Sequence, residues 1–459
     1  MNSDRRIARR TIVLVVSTAA AFLAPFMSSS LNLALPALGD EFRISAVVQG
    51  WVATSYILAV AVFLIPFGKL ADMRGRKKIF GWGSLIYALG SGLSAGAFSI
   101  FVLLASRVVQ GVGAAMILGT GVAMLTSAYP REERGRVLGV NVSSTYLGLS
   151  LGPVLGGFLT QYLGWRSIFW INASLGLLVF VLSAAFLKEE RAEGQKGKFD
   201  AAGSIVLGAA LVALILGLSR LPKTTAVFLA LAGLAGIAGL ILLEKKVRNP
   251  VLDMRLFDGN PVFAYSNLSA LINYCATFAV GFLLSFYLQF IKGLSPQNAG
   301  LVLAAQPAVM AMFSPLAGRL SDRHEPRLLA SAGMAVSAAG LGLLAFLSRT
   351  TALGFVGASL VVLGLGFALF SSPNTNAVMS SVEKSFFGLA AATLGTMRMT
   401  GQMLSMGTAM LIFGLYLGPA RIAPEVFPQF LAALRAAFLF FAGLCLAGVF
   451  ASLKRGKMR

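Results

Sequence analysis

The chain has 459 residues, of which 57% are hydrophobic and only 12% are charged. Because ordinary soluble domains are about one quarter charged, this composition excludes an aqueous globular protein, and the same hydrophobicity excludes a disordered chain. The net charge of +21 would indicate nucleic-acid binding in a soluble protein. In a membrane protein it indicates topology instead, since Lys and Arg are retained in cytoplasmic loops.

Apolar stretches long enough to cross a membrane, which takes about 20 residues, recur fourteen times along the chain. The predicted spans are 11–35, 47–67, 79–99, 101–125, 137–160, 167–187, 201–219, 225–243, 261–288, 297–317, 328–347, 353–373, 387–416 and 431–452. The first stretch lacks a convincing small-residue cleavage site, so we expect it to be retained rather than removed as a signal peptide. Cys275 and Cys445 lie in apolar stretches and are expected to be packing residues.

The basic residues predict the orientation of the chain. An even number of spans puts both termini on one side, and 28 of the 38 Lys and Arg residues fall on that side. Eight fall on the opposite side, and Arg107 and Arg398 remain inside spans. The positive-inside rule therefore predicts a multi-pass protein of the cell (inner) membrane with both termini in the cytoplasm, and the charge needs no nucleic-acid partner.

A short string recurs at two equivalent places. Gly68-Lys69-Leu70-Ala71-Asp72 follows span 2, and Gly318-Arg319-Leu320-Ser321-Asp322 follows span 10, in both cases after a proline in the preceding span. This recurrence predicts two related six-helix halves with two extra spans between them, an all-α membrane fold in a 6+2+6 layout with two pseudo-symmetric bundles. The expected units are a bundle at 1–190, an insert at 191–258 that includes charged flanking segments, and a bundle at 259–459.

The first of these strings, extended through Met73-Arg74-Gly75-Arg76-Lys77-Lys78, resembles the cytoplasmic loop signature of the major facilitator superfamily. Its glycines are expected to allow a tight turn, and Asp72 to accept hydrogen bonds at a helix N-terminus and pair with basic neighbours. The resemblance implies a cytoplasmic gate that holds the ends of the two bundles together. The residues expected in this gate are Gly68, Asp72, Arg76, Gly318 and Asp322.

Two further strings resemble motifs of the same family. Arg107-Val108-Val109-Gln110-Gly111 in span 4 is similar to its intramembrane arginine motif, and a charge at that depth costs several kcal/mol unless it is paired or hydrated. The run from Gly148 to Gly157 in span 5 is similar to the antiporter signature of facilitator exporters, and it favours export. Its marked positions are Gly148, Gly152, Pro153, Gly156 and Gly157.

Arg398 lies near the middle of span 13 and resembles an arginine of the fourteen-span drug-exporter branch (drug:proton antiporter-2). In that branch an acidic residue usually precedes the Asn-x-Ala-Leu-Pro string of span 1, but here Met27 occupies its place ahead of Asn32. All 17 acidic residues lie in loops or at span ends, and the single histidine, His324, lies in a loop. The spans therefore carry two arginines and no mid-depth acid.

These features predict a secondary active transporter, not an enzyme, that exports drugs or other amphiphilic molecules by alternating access. A cavity lined by Arg107 and Arg398 would repel organic cations, so the expected cargo is anionic, zwitterionic or neutral. Two alternatives stay open: a flippase for lipids or lipid-linked molecules, and, more distantly, a non-transporting membrane sensor. A channel is disfavoured, because repeated halves with glycine-rich helices suit alternating access.

The expected partners are a small-molecule or lipid-like substrate, membrane lipids and protons. The protons either act by an indirect route through Asp72, Asp40 or Glu41 or are exchanged by the substrate itself. No cofactor or metal is expected, and the chain is expected to be a monomer. Uncharged polar side chains at cavity depth complete the prediction. They are Asn32, Tyr56, Gln110, Tyr146, Asn273, Gln306, Asn374, Asn376 and Gln402, each either a substrate contact or an interhelical hydrogen bond.

Overall fold

A computed structural model describes residues 2–187, 200–244, 256–383 and 386–456. These residues form fourteen helical segments and no strand, which confirms the predicted all-α membrane class, and each predicted span coincides with one segment. They are α1 (Asn2–Phe42), α2 (Ala46–Arg74), α3 (Arg76–Ala95), α4 (Ile100–Ala128), α5 (Arg131–Leu163), α6 (Arg166–Phe186), α7 (Ala201–Arg220), α8 (Thr224–Glu244), α9 (Pro261–Ile291), α10 (Pro296–Arg323), α11 (Pro326–Leu344), α12 (Leu353–Ser380), α13 (Phe387–Leu417) and α14 (Phe427–Leu453).

Length and composition qualify thirteen of these segments as membrane-spanning. The fourteenth, α3, has 20 residues and begins with three basic residues, but it packs along α4 and α6 as the other helices do. The ninth segment is interrupted, since helix Pro261–Thr277 is followed by Val280–Phe286 and by a π-helical turn at Tyr287–Ile291. The predicted insert boundary at 190/191 and the charged segments 191–199 and 245–255 lie outside the described residues.

The pairing of helices repeats along the chain. In the first half (α1–α6), α1 packs against α5, α3 against α4 and α6, and α4 against α2. In the second half (α9–α14), α9 packs against α13, α11 against α12 and α14, and α12 against α10. Each contact of the first half therefore recurs eight helices later. We call the membrane face that holds both chain ends the terminal face, and the opposite one the far face.

Helix α7 lies across the seam between the halves. Near its start, a methyl group added at Gly208 would lie 2.9 Å from Val62 of α2. Towards its end, Ile215 and Leu218 lie against Gly407 of α13, where an added methyl group would be 2.9 Å from Ile215 Cδ1. Helix α8 packs on the outer side of α7. The two extra helices thus cover the α2–α13 side of the molecule.

The repeated strings lie inside helices rather than in loops, which corrects the sequence prediction. Helix α2 continues through Arg74, and the single residue Gly75 makes the turn into α3 with φ of 103°, a conformation that favours glycine. Asp72 is therefore in the last turn of α2 and not at a helix N-terminus. In the second copy, α10 continues through Arg323, so Asp322 also lies in a last helical turn.

Candidate functional site

Arg107 is buried inside the first half. Its side chain is only 1% exposed, and its Nε donates to the carbonyl oxygen of Val52 in α2 at 3.0 Å. The guanidinium lies 4.4 Å from the ring centroid of Tyr56 and 5.8 Å from that of Phe169, so aromatic faces replace part of its hydration. It neither extends to the far face nor lines open space, contrary to the predicted cavity, because α2 and α6 close over it.

A polar network continues from Arg107 towards α3. Its Nη1 donates to Gln110 Oε1, and Gln110 Nε2 donates to Ser91 Oγ at 2.7 Å. In the same half, Tyr87 of α3 donates to Asn172 Oδ1 of α6 at 2.9 Å. Buried polar groups that are fully hydrogen-bonded fix one packing arrangement. The arrangement indicates that Arg107 and Gln110 hold α2, α3 and α4 together.

Arg398 has different surroundings. It is half-buried on α13, donates from Nη2 to Thr375 Oγ1 of α12 at 2.7 Å, and lies 5.6 Å from the ring centroid of Tyr274 in α9. Its Nε has no hydrogen-bond partner. Among the described residues, no carboxylate forms an ion pair with it. Arg398 is therefore a partly open cation in a membrane-spanning helix, with donor capacity left for an anionic group.

Residues of the first half meet α9, the helix that carries Tyr274, across the seam. Tyr146 of α5 lies within electrostatic range of Tyr274, and both rings are half-buried. Asn32 of α1 is also half-buried and points at α9, where a methyl group added to Gly281 would lie 3.0 Å from its Nδ2. Gln402, one turn beyond Arg398, and Gln306 are half-buried as well. Tyr274 and Thr375 were not predicted, because sequence does not show which helix faces meet.

The other predicted cavity residues are either enclosed within one half or lie at the end of a half near the terminal face. Asn273 is 0% exposed and neither of its amide atoms has a hydrogen-bond partner, while Asn374 donates to the carbonyl oxygen of Ser266 at 3.2 Å. Tyr56 is 3% exposed beneath Arg107. Asn376 donates to Ser321 Oγ at 3.0 Å near the terminal face. Asn374 and Asn376 thus make hydrogen bonds within the second half, whereas the buried amide of Asn273 makes none.

Hydrogen bonds join the halves between α1 and α9 in the far half of the membrane. Pro36 has no N–H, so it leaves the carbonyl oxygen of Asn32, four residues earlier, without its helical donor. Ser285 Oγ of α9 donates to that oxygen at 2.5 Å. Gln289, in the π-helical turn, donates to the carbonyl oxygen of Leu33 at 3.2 Å. We call these two bonds the α1–α9 clamp.

The glycine-rich run of α5 has two contact faces. Gly148, Gly152 and Gly156 face α1, with Ser30 Oγ donating to the carbonyl oxygen of Gly152 at 3.0 Å. On the other face, Pro153 and Gly157 meet the start of α10 at Gly300 and Pro296, across the seam and towards the far face. Tyr162 and Gln297 extend this contact with a hydrogen bond of 3.1 Å. The glycine-rich run of α5 therefore contributes both to packing within the first half and to the contact between the two halves near the far face.

The predicted gate residues make bonds within their own halves. Asp72 Oδ1 accepts from Arg76 Nη2 at 2.8 Å and from its Nε at 2.9 Å, and Arg76 also donates to the carbonyl oxygen of Ala123. Asp322 Oδ1 accepts from Asn376 at 3.4 Å. Gly68 and Gly318 lie one helical turn before these aspartates and approach α4 and α12, respectively. Asp72 and Arg76 thus hold the α2–α3 turn against α4.

Two charged residues have surroundings that sequence reasoning did not anticipate. Glu41, at the far end of α1, accepts from both Nη atoms of Arg166 at 2.7 and 2.9 Å and from the indole of Trp165. Arg455 is one of the 28 basic residues predicted on the side of the chain ends, and the structure shows it 0% exposed and donating to Ser452. Burial lowers the pKa of Arg455 to about 10, an effect that the carboxylate of Glu325 opposes.

No cluster of metal-ligating residues occurs in the part of the chain that the structure describes.

Comparison with known proteins gives consistent results. The pattern of the Major Facilitator Superfamily matches residues 18–203 and 267–457. The riboflavin transporter RibZ of Clostridioides difficile is 31% identical over 390 residues, covering 85% of each chain. The multidrug resistance protein Stp of Mycobacterium tuberculosis is 31% identical over 403 residues, covering 86% of this chain and 74% of Stp. The crystal structure of a bacterial homologue of the human lysosomal transporter Spinster has the same fold, with a TM-score of 0.72 at 18% identity over 97% of each chain.

Proposed function

The chain belongs to the major facilitator superfamily, and from this we propose that it exports amphiphilic small molecules across the cell (inner) membrane by alternating access. A relative named for multidrug resistance supports export, as does the glycine-rich run of α5. The excess of basic residues on the side of the chain ends supports cytoplasmic termini. The terminal face then corresponds to the cytoplasm.

Arg398 carries the proposal about cargo. A half-buried guanidinium without a carboxylate partner among the described residues repels organic cations and attracts an anionic or zwitterionic group. Tyr274 offers an aromatic face beside it, and Tyr146 lies near Tyr274, so both rings are available for an apolar part of the same molecule. We therefore propose an anionic, zwitterionic or neutral amphiphile as the cargo, bound between the halves at Arg398.

The proposed movement is a rocking of bundle 1–190 against bundle 259–459, with the insert 191–258 beside the seam. The α1–α9 clamp and the Gly157–Gly300 contact belong to a state that is closed at the far face. In alternating access, a state closed at the far face is the one that can open to the cytoplasm and take up cargo from there. The residues proposed for the cytoplasmic gate are Gly68, Asp72 and Arg76, with Gly318 and Asp322 on the second half.

Proton coupling, in this proposal, follows an indirect route, since the membrane-spanning cores contain no acidic residue. Asp72 is paired with Arg76 at the terminal face, and Glu41 is paired with Arg166 at the far face. Both pairs lie within the first half, so a change in the packing of α2 on α3, or of α1 on α6, during transport would break them, and a carboxylate that loses its ion pair becomes easier to protonate. These two pairs are therefore the proposed points at which protons affect transport, in a protein that works as a monomer without a cofactor.

A lipid or lipid-linked-molecule flippase is the second candidate, because an unpaired arginine between two halves also suits a phosphate head group. The two candidates differ in where cargo enters. A flippase needs a lateral opening to the bilayer, and α7 covers the seam on the α2–α13 side. Translocation of a fluorescent phospholipid in vesicles, faster with the protein than without it, would favour the flippase.

The test of the cargo site compares Arg398→Ala and Arg398→Lys with the unaltered protein in vesicles. We expect Ala to abolish transport of an anionic amphiphile and Lys, which keeps the charge but not the planar donor set, to retain a part of it. Folded protein in the membrane must be unchanged, as judged by yield and thermal melting. Undiminished transport by Arg398→Ala would remove Arg398 from the cargo site.

A further inference from the structure

An apolar groove runs along the outer surface of the first half. Helix α6 packs on α3 and α1, and α5 packs on α1, so a gap remains between α5 and α6 with α1 at its base. The groove has a volume of about 460 Å³ and extends along α1 from Leu14 to Leu23. Nine residues of helix correspond to about 14 Å, so the groove occupies the half of the membrane nearest the terminal face.

The groove is open to lipid and has almost no polar lining. Val15 is 52% exposed and Leu178 is 51% exposed, so its mouth faces the bilayer. Thr18 and Ser144 are the only polar residues of the lining, and Ser144 already donates to the carbonyl oxygen of Thr18 at 2.9 Å. The lining therefore suits a saturated chain and offers little to a polar solute.

Basic side chains stand at the terminal-face end of the groove. Arg10 precedes Leu14 by one helical turn on α1, and Arg136 precedes Val140 by one turn on α5, so each lies on the same helix face as a groove residue. Arg136 is exposed, and the Arg10 side chain is 38% exposed. A contact of 3.8 Å joins Arg10 to Glu133, which leaves most of the guanidinium donors available.

We propose that this groove is a binding site for an anionic phospholipid of the leaflet at the terminal face. One acyl chain lies between α5 and α6, and the phosphate lies between Arg10 and Arg136. Lipid tails are as apolar as the groove, so burial of the chain gives little preference for one lipid over another. The preference comes from the head group, because among the side chains that the structure describes here Arg10 and Arg136 outnumber Glu133, and the cytoplasmic leaflet is rich in anionic lipids.

The site is separate from Arg398 and does not depend on what the protein transports, but its leaflet follows from the proposed orientation. The groove lies on the outside of α1, α5 and α6, whereas Arg398 lies on α13 in the second half. A bound lipid would contact α1 and α5, the helices that meet α9 and α10 across the seam. A lipid bound there would therefore stabilise one arrangement of α1 and α5 within the first half.

Native mass spectrometry of the purified full chain, mixed with equal amounts of phosphatidylglycerol and phosphatidylcholine, tests the proposal. We expect the unaltered protein to retain phosphatidylglycerol preferentially. In the variant Arg10→Gln/Arg136→Gln, the ratio of retained phosphatidylglycerol to retained phosphatidylcholine should fall about fivefold for each arginine removed. The control, Arg319→Gln/Arg323→Gln, removes two exposed arginines from the same face away from the groove and should keep the preference.

A second pair of variants tests the acyl-chain part of the site. Val15→Trp/Leu178→Trp fills the groove and should lower retention of phosphatidylglycerol, whereas Leu231→Trp on α8, where the side chain is 56% exposed, should not. Equal retention of the two lipids by the unaltered protein would overturn the proposal. So would a preference that Arg10→Gln/Arg136→Gln leaves intact, and this outcome is decisive even if the groove-filling variant fails to fold.

Discussion

The α1–α9 clamp allows a prediction about the balance between the two states of the protein. Ser285→Ala removes the donor that satisfies the carbonyl oxygen of Asn32, and Pro36 prevents the helix from supplying another. A buried carbonyl without a donor costs about 1–3 kcal/mol. Water can reach the far face once the halves part, so the lower value applies, and about 1 kcal/mol shifts an equilibrium about fivefold. We therefore expect the ratio of the state that is open at the far face to the state that is closed there to rise about fivefold.

Distance measurements between spin labels on the far face report this shift directly. Phe98→Cys in the first half and Ala352→Cys in the second half are exposed labelling positions, and the native Cys275 and Cys445 are buried. Ser285→Ala should increase the population of long distances between the two labels. The matched control is Ser359→Ala, which removes a buried serine whose hydroxyl donates only within its own helix, to Phe355.

A double-mutant cycle tests whether the freed carbonyl oxygen of Asn32 causes the shift between the two states. Pro36→Ala restores an N–H that can donate to the carbonyl oxygen of Asn32, so Ser285→Ala should have a smaller effect in that background than in the native one. If Ser285→Ala left the distances unchanged, or shifted them no more than Ser359→Ala does, the Ser285 bond of the clamp would contribute nothing to closure. An equal effect of Ser285→Ala with and without Pro36 would show that the freed carbonyl is not the reason.

Two other substitutions test neighbouring parts of the account. Arg107→Met leaves Gln110 Oε1 without its donor, and we expect a loss of stability of about 1–3 kcal/mol, seen as a lower melting temperature in detergent; an unchanged melting temperature would contradict a packing role. Gly300→Ala places a methyl group against the carbonyl oxygen of Pro153 and should favour long far-face distances, whereas Gly342→Ala, with open space around it, should not.

The sequence predicted the helices well because a membrane-spanning helix is specified locally, by about 20 apolar residues in a row. Each predicted span coincides with a helical segment, thirteen of which are long and apolar enough to cross a membrane, and the two similar strings indicated the repeat. The ends of helices were less certain, since the turn after α2 depends on the positive φ of one residue, Gly75. Asp72 was therefore placed in a loop although it lies in a helix.

The surroundings of the charged residues could not be predicted, because they depend on which helix faces meet. Arg107 and Arg398 look alike in the sequence, each a single arginine in an apolar span. Only packing shows that one is enclosed by Tyr56 and Phe169 while the other is half-open beside Thr375. The clamp could have been suspected, since Ser285 and Gln289 are one turn apart on an apolar helix, but its acceptor is a backbone atom that no sequence motif marks.

The charge preference of the cargo site is measured by transport into vesicles containing the unaltered protein, with anionic, zwitterionic, neutral and cationic amphiphiles of matched size, each with and without a pH gradient. We expect transport of anionic, zwitterionic or neutral molecules, exclusion of cations, and loss of anion transport in Arg398→Ala. Strong proton-dependent transport of a dication, undiminished by substitution of Asp72, Asp40 or Glu41, would contradict this expectation.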